Sequence, residues 1–358
     1  MSQTTNHPDS AITQPATPAT DSTTMQAVVR TRYGDPHDAF AVQTVDLPQA
    51  GADEVRVRVL ASSVNTPDWA AVTGVPAILR LAAGITRPKA PIRGTDVAGI
   101  VEAVGDGVDT FTVGEEVFGS TSTGSPRRQH GAFAESVIVP AAQLASKPGS
   151  ISFEEAASSV MSGLTALASM SQTVEVRPGM RALINGASGG VGTFAIQIAK
   201  ARGAHVTAVT SHRNRELVRS LGADEVIDYR TEDFTETTGR YDAIIDTGGR
   251  HSIRRLRSVL APGGTLVIVG GEGGNKLTGG FGRPIRAAMM SPFVGRSMPF
   301  FLSTEHHDVI DRLAGHLAGG EVVAAVGQEF PLEQTSEAIR RLAAGESSGK
   351  SAILVSAR

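Results

Sequence analysis

The residues best suited to chemistry in this sequence are seven consecutive small ones. Gly186-Ala187-Ser188-Gly189-Gly190-Val191-Gly192 follows the strand-like run Leu183-Ile184-Asn185 and opens a helical pattern. Read as A-x-G-x-x-G over Ala187, Gly189 and Gly192, the loop has Ala where a dinucleotide fingerprint usually has its first glycine. The physics still holds. Gly189 lets the backbone approach a pyrophosphate, Gly192 lets the helix pack on the strand, and the free N–H groups at the helix start turn partial positive charge toward phosphate. A tight strand-to-helix turn also wants glycine for steric reasons alone, but the setting inside a strand-helix-strand unit favours the dinucleotide.

An NAD-specific site places a carboxylate on the ribose 2′-hydroxyl at the end of the second strand, about 20 residues beyond the glycines. This sequence has Thr210-Ser211-His212-Arg213-Asn214-Arg215 there. A 2′-phosphate would meet a hydroxyl and two guanidiniums, and cations at a helix start are poorly placed unless an anion is near. NADPH is therefore the expected cofactor. The alternative is that Arg213 and Arg215 are solvated residues of a helix's first turn.

Metal chemistry has little to work with. The chain has no cysteine, which removes disulfides, thiolate catalysis and thiolate metal sites together. Of its nine histidines, His306 and His307 are adjacent at a helix start, where neighbours do not share a face, and the others are scattered.

The elements that must position these residues fall into two groups. From Met25 to about Ser150, short β-branched runs (Gln26 to Thr31, Glu54 to Ser62, Val97 to Val104, Glu116 to Phe118, Ala134 to Val139) alternate with Gly and Pro turns, as in a compact, mostly β domain. Near Ile151 the rhythm turns helical, with Ser152 as N-cap and Glu154 and Glu155 in the first turn. Strand-like runs then recur at Arg181 to Asn185, His205 to Thr210, Glu225 to Ile227, Ala243 to Asp246 and Thr265 to Val269, separated by helical patterns such as Thr193 to Arg202 and Asn214 to Leu221. Such continuous apolar strands predict an α/β, doubly wound parallel sheet. Helices are expected over Asp308 to Leu317 and Leu332 to Leu342, and a last strand over Ser351 to Val355. The segment 271–300 fits no pattern.

Composition narrows the function further. A chain of 358 residues, 41% apolar with net charge −3, predicts two domains and a cleft and offers no field to gather nucleic acid. No apolar run is long enough to span a bilayer. Residues 1–24 are polar, without Lys or Arg, and read as a disordered tail lacking the marks of a secretory or organelle signal; a cytoplasmic location is the expectation.

Several segments in order, Ala61-Ser62-Ser63-Val64-Asn65-Thr66-Pro67-Asp68-Trp69, Gly94-Thr95-Asp96-Val97-Ala98-Gly99, Gly131-Ala132-Phe133-Ala134-Glu135, the Gly186 to Gly192 loop, Leu221-Gly222-Ala223-Asp224 and Gly349-Lys350, carry a resemblance. From Met25 to its end the chain resembles the medium-chain dehydrogenase/reductase superfamily, in its zinc-independent quinone oxidoreductase branch, and is similar to NADPH oxidoreductases of the reticulon-4-interacting-protein type. The resemblance implies a GroES-like catalytic domain over 25–150, completed by about 303–358, and a Rossmann NADPH-binding domain over 151–302. It implies that Ser188, Gly190 and Val191 wrap the pyrophosphate, that Ser211 and Tyr229 hold the adenosine phosphate end, that Thr247 and Gly270 line the approach to the nicotinamide, and that Thr165 joins the cofactor site. Tyr229 also reads as an ordinary strand-end aromatic. Zinc-dependent members place Cys near position 65 and His near 95; Asn65 and Thr95 stand there instead, and neither is a competent zinc ligand.

Without a Lewis acid, a conjugated acceptor is the easier substrate, because negative charge spreads to an oxygen that hydrogen bonds can satisfy. The expectation is hydride transfer from NADPH to a quinone or α,β-unsaturated carbonyl. Asn65 is the candidate polar group beside the reacting carbonyl, with Asp68 and Trp69 shaping the pocket; the same residues also suit a turn and a core position. Asp96 is expected to orient a neighbouring Arg. No residue announces itself as proton donor. Two other readings stay open, an NADPH-binding sensor or scaffold with little turnover and an alcohol or ketone dehydrogenase; the apolar segment Met289 to Leu302 reads equally as a homodimer interface, a pocket wall or ordinary core.

Overall fold

The computed structural model describes residues 23–77, 80–122, 130–236, 241–249, 251–269, 282–291, 297–299 and 307–355. Residues 1–22 of the expected tail lie outside them, and the chain is in a strand by Thr24.

The first half contains β1 (Thr24–Arg30), α1 (Pro36–Ala39), β2 (Phe40–Asp46), β3 (Glu54–Ser63), α2 (Thr66–Thr73), α3 (Arg80–Ala83), β4 (Asp96–Val104), β5 (Glu116–Ser120), β6 (Ser136–Pro140) and β7 (Leu144–Ser146). β3 is the hub. Val55, Val57, Val59 and Ala61 alternate along it and are buried, the period-2 signature of a strand with one face on a core. β4 runs antiparallel along one edge, with register shifts at Arg56/Val57 and Val59/Ala61. Gly99 permits that crossing: an added Cβ would lie 1.9 Å from the Arg58 carbonyl oxygen.

The second half contains α4 (Phe153–Ala168), β8 (Arg181–Asn185), α5 (Gly190–Ala201), β9 (His205–Thr210), α6 (Arg215–Ser220), β10 (Glu225–Asp228), β11 (Tyr241–Asp246), α7 (Ile253–Ser258) and β12 (Leu260–Ile268). The five strands form one parallel sheet in the order β10-β9-β8-β11-β12, so the α/β doubly wound expectation is borne out. α4 starts on the expected cap: Ser152 Oγ accepts from Glu155 N at 3.2 Å while Glu155 Oε2 accepts from Ser152 N at 2.8 Å. α4 then sits between the sheets. One core cluster runs from Ala61, Ala98 and Phe118 through Val160 and Leu164 to Ile184 and Ile196.

The chain closes with α8 (Gly282–Met290), α9 (His307–Ala318), β13 (Val326–Pro331), α10 (Thr335–Ala343) and β14 (Lys350–Leu354). β14 returns to the first sheet, antiparallel to the Ala61–Ser63 end of β3 and parallel to β13. Three local expectations shift. The last strand begins at Lys350 rather than Ser351, Asn65-Thr66-Pro67 opens α2 rather than forming a free turn, and β12 begins at Leu260, ahead of Thr265. Of the apolar segment Met289 to Leu302, Met289 is exposed on α8, Met298 is buried in the core of the parallel sheet with Met290 packed against that core, and 292–296 and 300–302 lie outside the described residues.

Candidate active site

In the parallel sheet the strand order reverses between β8 and β11, and the crevice beyond their C-terminal ends is where such sheets take ligands. Asn185 and Asp246 end these two strands. The Asn185 amide donates to Asp246 Oδ1 at 2.7 Å, and Arg283 donates to Asp246 Oδ2 at 2.9 Å, so the floor of the crevice is buried and satisfied.

The loop after Asn185 does what its composition requires. Gly186 takes the turn at φ +81, so it, one residue before Ala187, meets the conformational demand that Ala187 could not. A Cβ on Gly192 would lie 2.3 Å from Gly186 O and 2.7 Å from Ala187 Cα, so the helix seats directly on the turn. Gly189 differs: an added Cβ would meet only Gly186 O, at 3.4 Å. Space stands over Gly189 at the head of the 12-residue helix α5, as a pyrophosphate requires. Val191 is half-buried beside it.

Ser188 is tied on several sides. Its Oγ accepts from Asn214 Nδ2 at 2.9 Å and bonds Thr210 Oγ1 at 2.8 Å, and its carbonyl accepts from Gly349 N at 2.8 Å. Ser211 is buried at the end of β9, and Tyr229, 39% exposed, follows the adjacent β10, with its N–H donating to Thr210 O at 3.2 Å. Arg213 donates to Gly345 O at 3.0 Å, which draws it to the turn before β14. Thr247 Oγ1 donates to Asn185 O at 2.8 Å, and Gly270 lies outside the described residues. Thr165 is buried on α4, one turn beyond Ser162, whose Oγ would lie 2.6 Å from a Cβ on Gly190.

On the other side of the crevice, the C-terminal end of β3, the start of β4 and the start of β14 bring together a buried polar knot. Asn65, the N-cap of α2, turns its side chain inward: Nδ2 donates to Asp96 Oδ2 at 2.9 Å and Thr95 Oγ1 at 3.4 Å, and Oδ1 accepts from Lys350 Nζ at 2.6 Å. Asp96 also accepts from Ser63 Oγ, from Met161 N at 3.1 Å and from Lys350 Nζ at 3.4 Å. The carboxylate thus orients an amide and a lysine, not the arginine expected from sequence. Asp68 accepts from Asn65 N at 2.9 Å and is fully buried, with Oδ1 unsatisfied among the described residues. Burial pushes its carboxyl up to about 6, against the pull of Arg93, the Asn65 N–H and Lys350. Burial lowers the Lys350 ammonium, opposed by Asp96 and Asp68. Trp69 packs, half-buried, against the core of the first sheet.

Lys350, present in the sequence reading only within the Gly349-Lys350 segment, is the site residue to which that reading gave no role. Its stem runs past the head of α5, where a Cβ on Gly190 would lie 2.8 Å from its Cδ, and its amine reaches Asn65. The available signal was a lysine opening a short terminal strand that ends in Ala352-Ile353-Leu354, in a chain with only five lysines. Asn65, Thr95 and Asp96 do converge, but their donor set is an amide, a hydroxyl and one carboxylate already bonded to Lys350. Zinc does not fit it. Among the described residues no group of three or more His, Cys, Asp or Glu could hold a metal, and no helix is long and apolar enough to cross a membrane.

Comparison with known proteins agrees with this architecture. Residues 51–149 match the alcohol dehydrogenase GroES-like domain, and residues 221–353 match a family described as zinc-binding dehydrogenase. The chain is 32% identical to the mitochondrial NAD(P)H oxidoreductase RTN4IP1 of Mus musculus, over 95% of this chain and 91% of that protein. It is 30% identical to a zinc-type alcohol dehydrogenase-like protein of Schizosaccharomyces pombe, over 91% and 95% respectively. The structure of the quinone oxidoreductase from Coxiella burnetii superposes with a TM-score of 0.81 at 26% identity, covering 93% of this chain and all of that one.

Proposed function

The chain belongs to the medium-chain dehydrogenase/reductase superfamily, in its quinone-oxidoreductase-type branch, and from that premise we propose that it is a metal-independent NADPH reductase of quinones or α,β-unsaturated carbonyls. The observation that carries the reading is the open backbone over Gly189 at the reversal point of the parallel sheet, facing the Asn65–Asp96–Lys350 knot. Ser188, Gly190 and Val191 would hold the pyrophosphate, and Ser211, Arg213 and Tyr229 the phosphorylated ribose. The absence of an acidic side chain from Ser211 to Arg215 supports NADPH over NADH.

NADPH supplies a hydride when bound. The chain's own residues then have to position an acceptor and tolerate the negative charge that develops on its oxygen. A conjugated carbonyl suits a crevice in which the cations Lys350 and Arg283 are both tied to carboxylates better than a simple ketone, which needs a Lewis acid or a positioned proton donor at the oxygen. Asn65 spends its amide on Asp96 and Lys350, so its role is to fix the wall of the pocket rather than to donate to substrate.

The test is NADPH consumption, followed by loss of the reduced nicotinamide absorbance, against a panel of quinones, enals and simple ketones, with metal analysis of the same preparation. Turnover with quinones or enals and less than stoichiometric zinc is the expected result. Tight NADPH binding with no turnover on any acceptor would instead favour a sensor, and stoichiometric zinc with alcohol oxidation would favour an alcohol dehydrogenase.

A further inference from the structure

Three protons of one ammonium meet three oxygens inside the protein: Lys350 Nζ lies 2.6 Å from Asn65 Oδ1, 3.2 Å from Val64 O and 3.4 Å from Asp96 Oδ2. Lys350 is 3% exposed and Asp96 is fully buried. An ammonium has three donors and no acceptor, so this cage uses it completely. Among the described residues Asp96 otherwise receives neutral donors, Ser63 Oγ, Asn65 Nδ2 and Met161 N. A buried carboxylate held by neutral groups alone is costly, and a charge of opposite sign is what removes the cost. The other charged groups acting on this place are Asp68 and Arg93.

The cage is also where Asn65 meets two consecutive side chains of a second segment, 3.4 Å from Thr95 and 2.9 Å from Asp96. One of the families matched is described as zinc-binding, yet these donors do not suit zinc. Charge balance at Asp96 still calls for a cation. We propose that the Lys350 ammonium is the resident cation of this site, occupying the space a divalent metal would need and locking Asn65 and Asp96 in place from the last strand of the chain. The inference rests on the reading of this crevice as the reductase site. Lys350 is a positioning residue on this view, since it acts through Asn65 and Asp96.

Its route supports the assignment. The Lys350 stem passes the head of α5 at a position without a side chain, and Gly349, its neighbour, donates to Ser188 O at 2.8 Å. The ammonium is therefore placed from the same turn that docks on the glycine loop.

The test is metal competition on the full chain. Asn65→Cys with Thr95→His supplies a thiolate and an imidazole beside Asp96, and zinc affinity is measured with a chromophoric chelator, with Lys350 intact and with Lys350→Met added. Two like charges at contact distance repel strongly, so removing the ammonium is expected to tighten zinc by at least about tenfold. Equal affinity with and without Lys350 overturns the proposal. Should the redesigned chains not fold, nitrogen-15 NMR of the natural protein at neutral pH decides: a charged Lys350 amine supports the assignment and a neutral one overturns it. Neither readout uses turnover, so an inactive natural enzyme would sink the reductase reading while leaving this result to stand or fall by itself.

Discussion

The amine of Lys350 lies 2.6 Å from the side-chain oxygen of Asn65, a residue 285 positions earlier in the chain. The contact crosses from the final strand to the start of α2 and passes beneath the head of α5. Few other single contacts draw on so much of the fold at once.

Lys350→Met removes the only lysine in the knot and leaves the Asp96 carboxylate buried among neutral donors. Stability is expected to fall by about 3–5 kcal/mol in urea denaturation, as for other broken buried pairs. Asp96→Asn added to Lys350→Met should recover at least about 1 kcal/mol of that loss, because the uncompensated charge goes with it. A strictly additive double variant would show that the two residues do not act as a charge pair.

Asp68 gives a pH signature. Burial raises its folded carboxyl to about 6, above the ordinary aspartate value of 3.8, so the folded state holds the proton more tightly than the unfolded chain does. The contribution to stability is present below the unfolded value and is lost as pH rises through about 6. Asp68→Asn, which keeps an oxygen for the Asn65 N–H, should therefore stabilise the protein by roughly 1–3 kcal/mol at pH near 8 and by much less at pH near 4. A pH-independent difference in unfolding free energy would contradict this.

Gly189 and Gly192 should separate binding from folding. Alanine at Gly192 drives a Cβ into backbone atoms at 2.3 and 2.7 Å, which should cost about 1–3 kcal/mol of stability. Alanine at Gly189 meets one atom at 3.4 Å and should leave the melting temperature nearly unchanged. NADPH titration of Gly189→Ala should nevertheless show affinity reduced by about tenfold or more, since the methyl enters the space proposed for the pyrophosphate.

Ser211→Asp tests the cofactor assignment. A carboxylate at the end of β9 repels a 2′-phosphate and accepts from a 2′-hydroxyl, so preference should move from NADPH toward NADH by about 10–100-fold in dissociation constant. Unchanged preference would remove Ser211 from the site.

The parallel sheet was legible because each of its strands is a short apolar run; Arg181 to Asn185 and His205 to Thr210 fall on β8 and β9 to the residue. The glycine loop was legible for the same local reason, since turn geometry is written in adjacent residues. Gly186 shows the limit: the fingerprint places the tight turn at Ala187, while the positive φ sits one residue earlier. The polar knot was hidden because it is nonlocal. Asn65 and Thr95 were marked by resemblance to a metal site, but nothing near Asn65 or Asp96 in the chain indicates that both their side chains are turned toward Lys350 rather than toward a substrate or an arginine.

The place of β14 beside β3 also bears on how the molecule is made. The Ala61–Ser63 half of β3 pairs with Ala352–Leu354, which are synthesised long after it. Until they emerge from the ribosome, that stretch of β3 lacks its neighbour, and Asp96 lacks its lysine. The nascent first domain therefore carries an open sheet edge and an uncompensated acid until β14 is made, long after its other strands are in place.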